Sequence, residues 1–214
     1  MNVTTTNAIT RRTFGASSIA LLLATSAGLA QQTPPVRVRG TVESVDGDIV
    51  TVKSRDGADL KLKLKDNVVV RAVVPAKLTD IKAGTAVGVT SAPQADGSLK
   101  AIEVHIFPAG QNVNAAHFPW DLSPNTFMTN GPVQTSVAAV DGQVLTVQYK
   151  TGDKVEDKQI TVTPQTSIVG YEPATKDDLK PGVKIFIAGA PKLPDGTIEV
   201  ANISFGKNGM TPPM

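Results

Sequence analysis

Val42-Glu43-Ser44-Val45-Asp46-Gly47-Asp48-Ile49-Val50-Thr51-Val52 returns in the same chain as Val137-Ala138-Ala139-Val140-Asp141-Gly142-Gln143-Val144-Leu145-Thr146-Val147. Each copy is an apolar alternation, an Asp-Gly pair and a second apolar alternation. Asp-Gly flanked in this way is the strongest short-range hairpin signal, because a type I′ turn needs positive φ at both central residues. The chain therefore reads as two copies of one small antiparallel β unit.

Working outward, Val36 to Val45 forms the first strand, with Gly40 as a bulge or tight bend. Ile49 to Lys53 is the second strand, and Arg55-Asp56-Gly57-Ala58 turns the chain again. Leu60, Leu62 and Leu64 alternate with Lys61, Lys63 and Lys65, the pattern of a strand with one buried and one wet face. Val68 to Val74 extends the run, and Pro75 stops it. Leu78 to Gly84 reads as one short helical turn closed by glycine. Two further strands follow, Ala86 to Thr90 and Leu99 to Phe107. In the latter, Ile102, Val104 and Ile106 alternate with Glu103 and His105, which places His105 on the outward face.

The second half repeats this order. Val137, Val140 and Gly142 match Val42, Val45 and Gly47; Ile160 and Val162 match Leu62 and Leu64; Asp178-Leu179-Lys180-Pro181-Gly182 matches Asp80-Ile81-Lys82-Ala83-Gly84; Asp195-Gly196 matches Asp96-Gly97. The order is three meandering strands, a short helical turn and two more strands. It predicts an all-β protein of two tandem OB-like β-barrels, which also leaves no open strand edge. The expected division is a signal peptide at 1–30, a first barrel at 31–107, a connecting segment at 108–132, a second barrel at 133–206 and a tail at 207–214.

The pattern Gly40-Thr41-Val42, Val45-Asp46-Gly47, Thr51-Val52, Asp56-Gly57 and Ile81-Lys82-Ala83-Gly84 resembles a widespread family of small exported bacterial β domains, catalogued as a domain of unknown function. The resemblance covers both units, about two thirds of the chain, and implies no catalytic residues. Chains similar to the whole tandem are sometimes labelled as parts of a metal transport system, even as a permease. A permease needs several spanning helices, so the resemblance implies at most an accessory, metal-binding role.

The address lies at the N-terminus. Thr10-Arg11-Arg12-Thr13-Phe14 is a twin-arginine pattern, followed by a soft apolar run from Ile19 to Leu29. Gly28-Leu29-Ala30 offers the small residues of a cleavage site, placed after Ala30. The run is too short and too polar to span a bilayer of about 30 Å. The expected location is the periplasm or outside the cell, with no stable membrane insertion after signal removal. Without Arg11 and Arg12, 19 basic residues face 19 acidic ones. A neutral mature chain lacks the basic footprint of a nucleic-acid binder. The strips Arg37 with Arg39, and Lys61, Lys63 and Lys65, lack the strand-face aromatics that single-strand binding uses. Cysteine is absent, so no disulfide framework supports the fold.

Chemistry is sparse. No Gly-x-Ser-x-Gly occurs, no glycine-rich phosphate loop opens a helix, and only two histidines could serve as a base. The expectation is a non-enzymatic protein without a cofactor. The segment Pro108 to Pro132 stands apart. Phe107, Phe118, Trp120 and Phe127 are four of the nine aromatic residues, and a junction between domains is where ligand clefts form. His117, Phe118, Trp120, Asp121 and Phe127 are the candidate ligand site, the alternative being a staple between barrels. His105, His117, Asp121 and Met128, with Met210 and Met214 in the tail, are the candidate metal ligands. The sequence thus points to an exported tandem β-barrel that binds an unknown periplasmic ligand or protein, or serves a structural role. The alternative is a periplasmic metal-binding accessory.

Overall fold

The computed structural model describes residues 34–140 and 142–214. The signal-peptide reading of residues 1–30 and the turn residue Asp141 lie outside them. The described chain is all-β. Its strands are β1 (Val36–Asp46), β2 (Ile49–Ser54), β3 (Asp59–Pro75), β4 (Ala86–Pro93), β5 (Leu99–Ile106), β6 (Ala116–Trp120), β7 (Thr126–Ala139), β8 (Gly142–Thr151), β9 (Lys154–Val162), β10 (Ser167–Ala174), β11 (Lys184–Ala190) and β12 (Ile198–Gly206). Helix among the described residues is confined to single 3-10 turns at Leu78–Asp80, Lys176–Asp178 and Lys207–Gly209. The first two are held alike: Asp80 accepts from the Lys77 backbone N–H and Asp178 from that of Thr175.

Alternation sets the faces as the sequence implies. Leu62 and Leu64 are buried while Lys61, Lys63 and Lys65 are exposed. Strand pairing, however, departs from the repeat. β1, β2 and β3 close into a five-stranded barrel with β11 and β12, from the other end of the chain. β1 pairs antiparallel with β11, and β12 pairs parallel with β3 from Ile198↔Leu62 to Gly206↔Val73. A second ring takes β7, β8 and β9 with β4 and β5; β4 pairs with β7, and β5 meets β9 at Lys100↔Thr161. The two cores are correspondingly mixed. Val42, Val52 and Leu62 pack with Ile185, Ile187 and Val200, whereas Val87, Val89 and Val104 pack with Val133, Leu145 and Ile160.

Residues 31–107 and 133–206 are therefore repeats in sequence, but each contributes strands to both rings. Periodicity could not show this. The two halves carry chemically similar edges, so a strand pair can dock on either copy with the same contacts, as in domain swapping. The far half of β3 leaves β2 but stays on β12, and its freed edge pairs with β10, from Pro75↔Val169 to Val70↔Ala174.

The second hairpin is also longer than the repeat suggests. Val42 donates its N–H to Val183 O and accepts from Gly182 N; Val133 does the same with Thr85 O and Gly84 N. Val133, rather than Val137, is thus the counterpart of Val42. Val42 pairs with Val52 and Val133 with Val147, which makes the second hairpin four residues longer. Val137 and Val140 are 59% and 102% exposed on this extension, so they are not core.

In the first hairpin Asp46 pairs with Ile49, leaving Gly47-Asp48 as the loop. Gly47 has φ of 57° and Asp48 has no positive φ, the arrangement of a II′ turn with glycine first rather than the I′ turn expected. No atom would meet a side chain at Gly47. Gly47→Val should therefore cost only the backbone strain, about 1–2 kcal/mol. Urea denaturation checks this, and a variant as stable as the parent would refute the turn assignment.

The connecting segment 108–132 is not a break in the β pattern. It holds β6 and the start of β7, paired from Ala116↔Asn130 to Trp120↔Thr126. Ser123-Pro124-Asn125 makes the turn between them, with Asn125 at φ of 59°, a conformation asparagine tolerates.

Candidate functional site

Four adjacent strands, β5-β4-β7-β6, build one polar floor. Register places His105, Gly88, Asn130 and Ala116 in one row across them. Glu103, Thr90, Met128 and Phe118 form the next row. Directly paired residues point to the same side of a sheet, and so do residues two apart along a strand. Both rows and Trp120 therefore share a face.

That face is covered. Glu103 is 0% exposed and His105 is 6% exposed, while Ile102 on the opposite side of β5 is 37% exposed. The sequence placed His105 outward, and the structure reverses that. The cover comes partly from the other half of the chain: β10 runs beside β5 through Ser167↔Glu103 and Val169↔His105, and the Tyr171 ring lies 6.1 Å from that of His105.

The buried groups form a chain of hydrogen bonds. His105 Nδ1 lies 2.9 Å from Glu103 Oε1, and the Thr90 hydroxyl donates to Glu103 Oε2 at 3.0 Å. With the carboxylate accepting at Nδ1, the other ring nitrogen is turned over Gly88. A Cβ at Gly88 would overlap His105 Nε2 and lie 2.7 Å from Asn130 Oδ1. Gly88 is thus the gap through which the imidazole and the Asn130 amide approach one point. Burial pushes the Tyr171 hydroxyl pKa far up, and the Glu103 charge adds to this against the opposing Arg71.

Above the floor is a cavity of about 310 Å³. Phe107, Phe118, Trp120, Tyr171 and Phe186 supply aromatic walls, and Arg37 and Gln111 reach it from β1 and the loop after β5. The rings meet edge to face: Phe107 on His105 at 4.7 Å, Phe118 on Trp120 at 5.8 Å and Trp120 on Phe186 at 6.3 Å. Arg37 lies 4.0 Å above the Trp120 ring and pairs with Asp121. Among the described residues five buried side-chain polar atoms have no partner. Three of them, Gln111 Oε1, Trp120 Nε1 and Asn130 Oδ1, belong to this cavity. Larger hollows of about 660, 620 and 610 Å³ exist, but the first gathers one such atom, on Thr163, the second none, and the third one, on Gln111, which borders both it and the cavity above the floor.

The candidates chosen from sequence divide. Phe118 and Trp120 line the cavity, as do Met128 and His105. His117 alternates to the other face of β6, where it stacks on Phe127 at 5.1 Å and its Nδ1 lies 2.8 Å from the Thr129 hydroxyl. Burial and the Lys158 charge hold its pKa below the usual value, against Glu156. Asp121 is engaged by Arg39 at 2.8 Å and Arg37 at 3.4 Å. Burial would raise its pKa, but the two guanidiniums outweigh this and hold it low. The four candidate metal ligands therefore do not share one place, and among the described residues no three His, Asp or Glu side chains gather as a metal-binding group. Met210 and Met214 of the tail pack in an apolar cluster with Phe186 and Trp120.

Glu103, Gly88, Gln111, Tyr171 and Phe186 carry the site and were not singled out from sequence. One signal was present: Glu103 and His105, two apart on a strand, must share a face. No family model, curated protein or solved structure matches this chain.

Proposed function

We propose that the protein is an exported, non-enzymatic binding protein whose cavity over β4–β7 holds a small molecule. One observation carries the reading: three of the five buried polar atoms without partners meet in a single aromatic-walled cavity. A buried polar group left unpaired costs about 1–3 kcal/mol, so three in one place mark a surface shaped for something that pairs them. Aromatic walls with a few convergent polar groups are the usual make-up of a small-molecule site. The barrel's order, three meandering strands and two closing ones, supports the OB-like assignment of each ring.

The test is native mass spectrometry on protein purified from the compartment where it accumulates. The expected result is a small-molecule adduct that is lost on unfolding, together with a change in the emission of Trp120 when the emptied protein is refolded. An adduct of metal-ion mass would instead support the metal-binding accessory reading. Bare protein, with Trp120 emission unmoved by unfolding and refolding, would overturn the proposal.

The Arg11-Arg12 pair and the apolar run after it support export by the twin-arginine route. Replacing both by Lys keeps the charge and removes the guanidinium forks. The double variant should accumulate as unprocessed precursor inside the cell, seen by fractionation and immunoblot. Normal processing would remove this route.

A further inference from the structure

We infer that the cavity's ligand is a planar heterocycle without positive charge that carries N–H donors, of nucleobase type, read by Asn130, Gln111 and His105. The inference rests on the cavity reading above and adds the chemical class.

Charge comes first. Glu103 is taken by His105 and Thr90, and Arg37 by Asp121. Asp121 is shared with Arg39, so the cavity has no open acidic group, and burying an unpaired ion is costly. A cationic ligand therefore lacks its counterpart. Hydrogen-bonding capacity comes second. Gln111 Oε1 and Asn130 Oδ1 are open acceptors, and Trp120 Nε1–H is an open donor. His105, held through Nδ1 by Glu103, turns its Nε2 to the same point as Asn130 Oδ1 over Gly88, a further polar group for the ligand to meet. The site needs a ligand with more than one donor and at least one acceptor. A hydrocarbon would leave these groups unpaired. Shape comes third. The walls are aromatic rings, Phe107, Phe118, Trp120, Tyr171 and Phe186, with Arg37 over one face of Trp120. A flat ring system fits about 310 Å³, and amide side chains pair in two-point fashion with the edge of a base.

The experiment uses adenine as the probe, with naphthalene as a ring of similar size lacking donors. Both are titrated into the full mature chain by ligand-observed NMR and, for adenine, calorimetry. Adenine should bind, and Gln111→Leu and Asn130→Leu should each weaken it about tenfold or more while leaving naphthalene no weaker. Gln111 lies in a loop outside the strands, so its variant keeps the test meaningful if Asn130→Leu fails to fold, as judged by circular dichroism. Binding of naphthalene without adenine would overturn this inference and leave the cavity reading intact. Adenine binding indifferent to both substitutions would overturn the assignment of the reading residues. Binding of neither probe would overturn both.

Discussion

Glu103→Ala is expected to lower the unfolding free energy by about 3–5 kcal/mol, the usual loss when one partner of a buried pair is removed. Glu103 is fully buried, and both carboxylate oxygens are used, one by His105 Nδ1 and one by the Thr90 hydroxyl. The truncation strips two buried groups of their acceptor and opens a void between β4 and β5. Glu103→Gln keeps the volume and an acceptor oxygen, so its loss should be smaller, about 1–3 kcal/mol. Urea denaturation followed by circular dichroism measures both, and the slope of the transition should stay that of the parent. A Glu103→Ala loss of less than about 0.5 kcal/mol, the range of an ordinary surface substitution, would mean that the cluster is not the buried unit described above. The comparison also bears on function. A fold that needed only an apolar face there could have placed valine at each position, as it does at Val87 and Val89 on the opposite side of β4.

The same residues show what the sequence could disclose. Leu62 and Leu64 against Lys61, Lys63 and Lys65 told the inside of β3 from its outside, because only one face of that strand meets apolar partners. In β5 both faces are covered. Val104 enters the core, and Glu103 and His105 enter the polar floor. Alternation identifies two faces but not the element that will cover the second, and Tyr171 lies 66 residues further along the chain. Phe118 and Trp120 were legible as part of a site because aromatics are scarce elsewhere. His117 was misplaced with them, since residues one apart on a strand point to opposite faces. The Asp-Gly repeat identified both hairpins. It misaligned the second, where Val137 and Val140 sit on an extension rather than in the core.

Residues 31–107 expressed alone should not give a stable folded monomer. In the whole chain the apolar faces of Val42, Val52 and Leu62 are closed by Ile185, Ile187 and Val200, none of which this fragment contains. It also loses the acceptor of the Val42 N–H, which is Val183 O, and the whole parallel edge from Leu62 to Val73 that β12 covers. Its own β4 and β5 carry equivalent residues, but they emerge at the far end of β3. The second half breaks at this point, between β9 and β10, with Thr163 to Thr166 forming a turn. β3 slips by three residues at the equivalent place, Leu64↔Val200 being followed by Val69↔Asn202, so both halves turn aside at the same point and carry their last two strands away from their first three. Two fragments exchanging β4–β5 give each first ring its two closing strands. The fragment should therefore sediment as a dimer whose thermal transition rises with concentration, as mass action requires when folding and association are coupled. Mixed with residues 108–214, it should instead form a one-to-one complex, because β7–β9 supply the ring that β4 and β5 occupy in the whole chain. A folded 31–107 monomer with a transition independent of concentration would show that the repeat can close on itself, and that the exchange is a consequence of linkage alone.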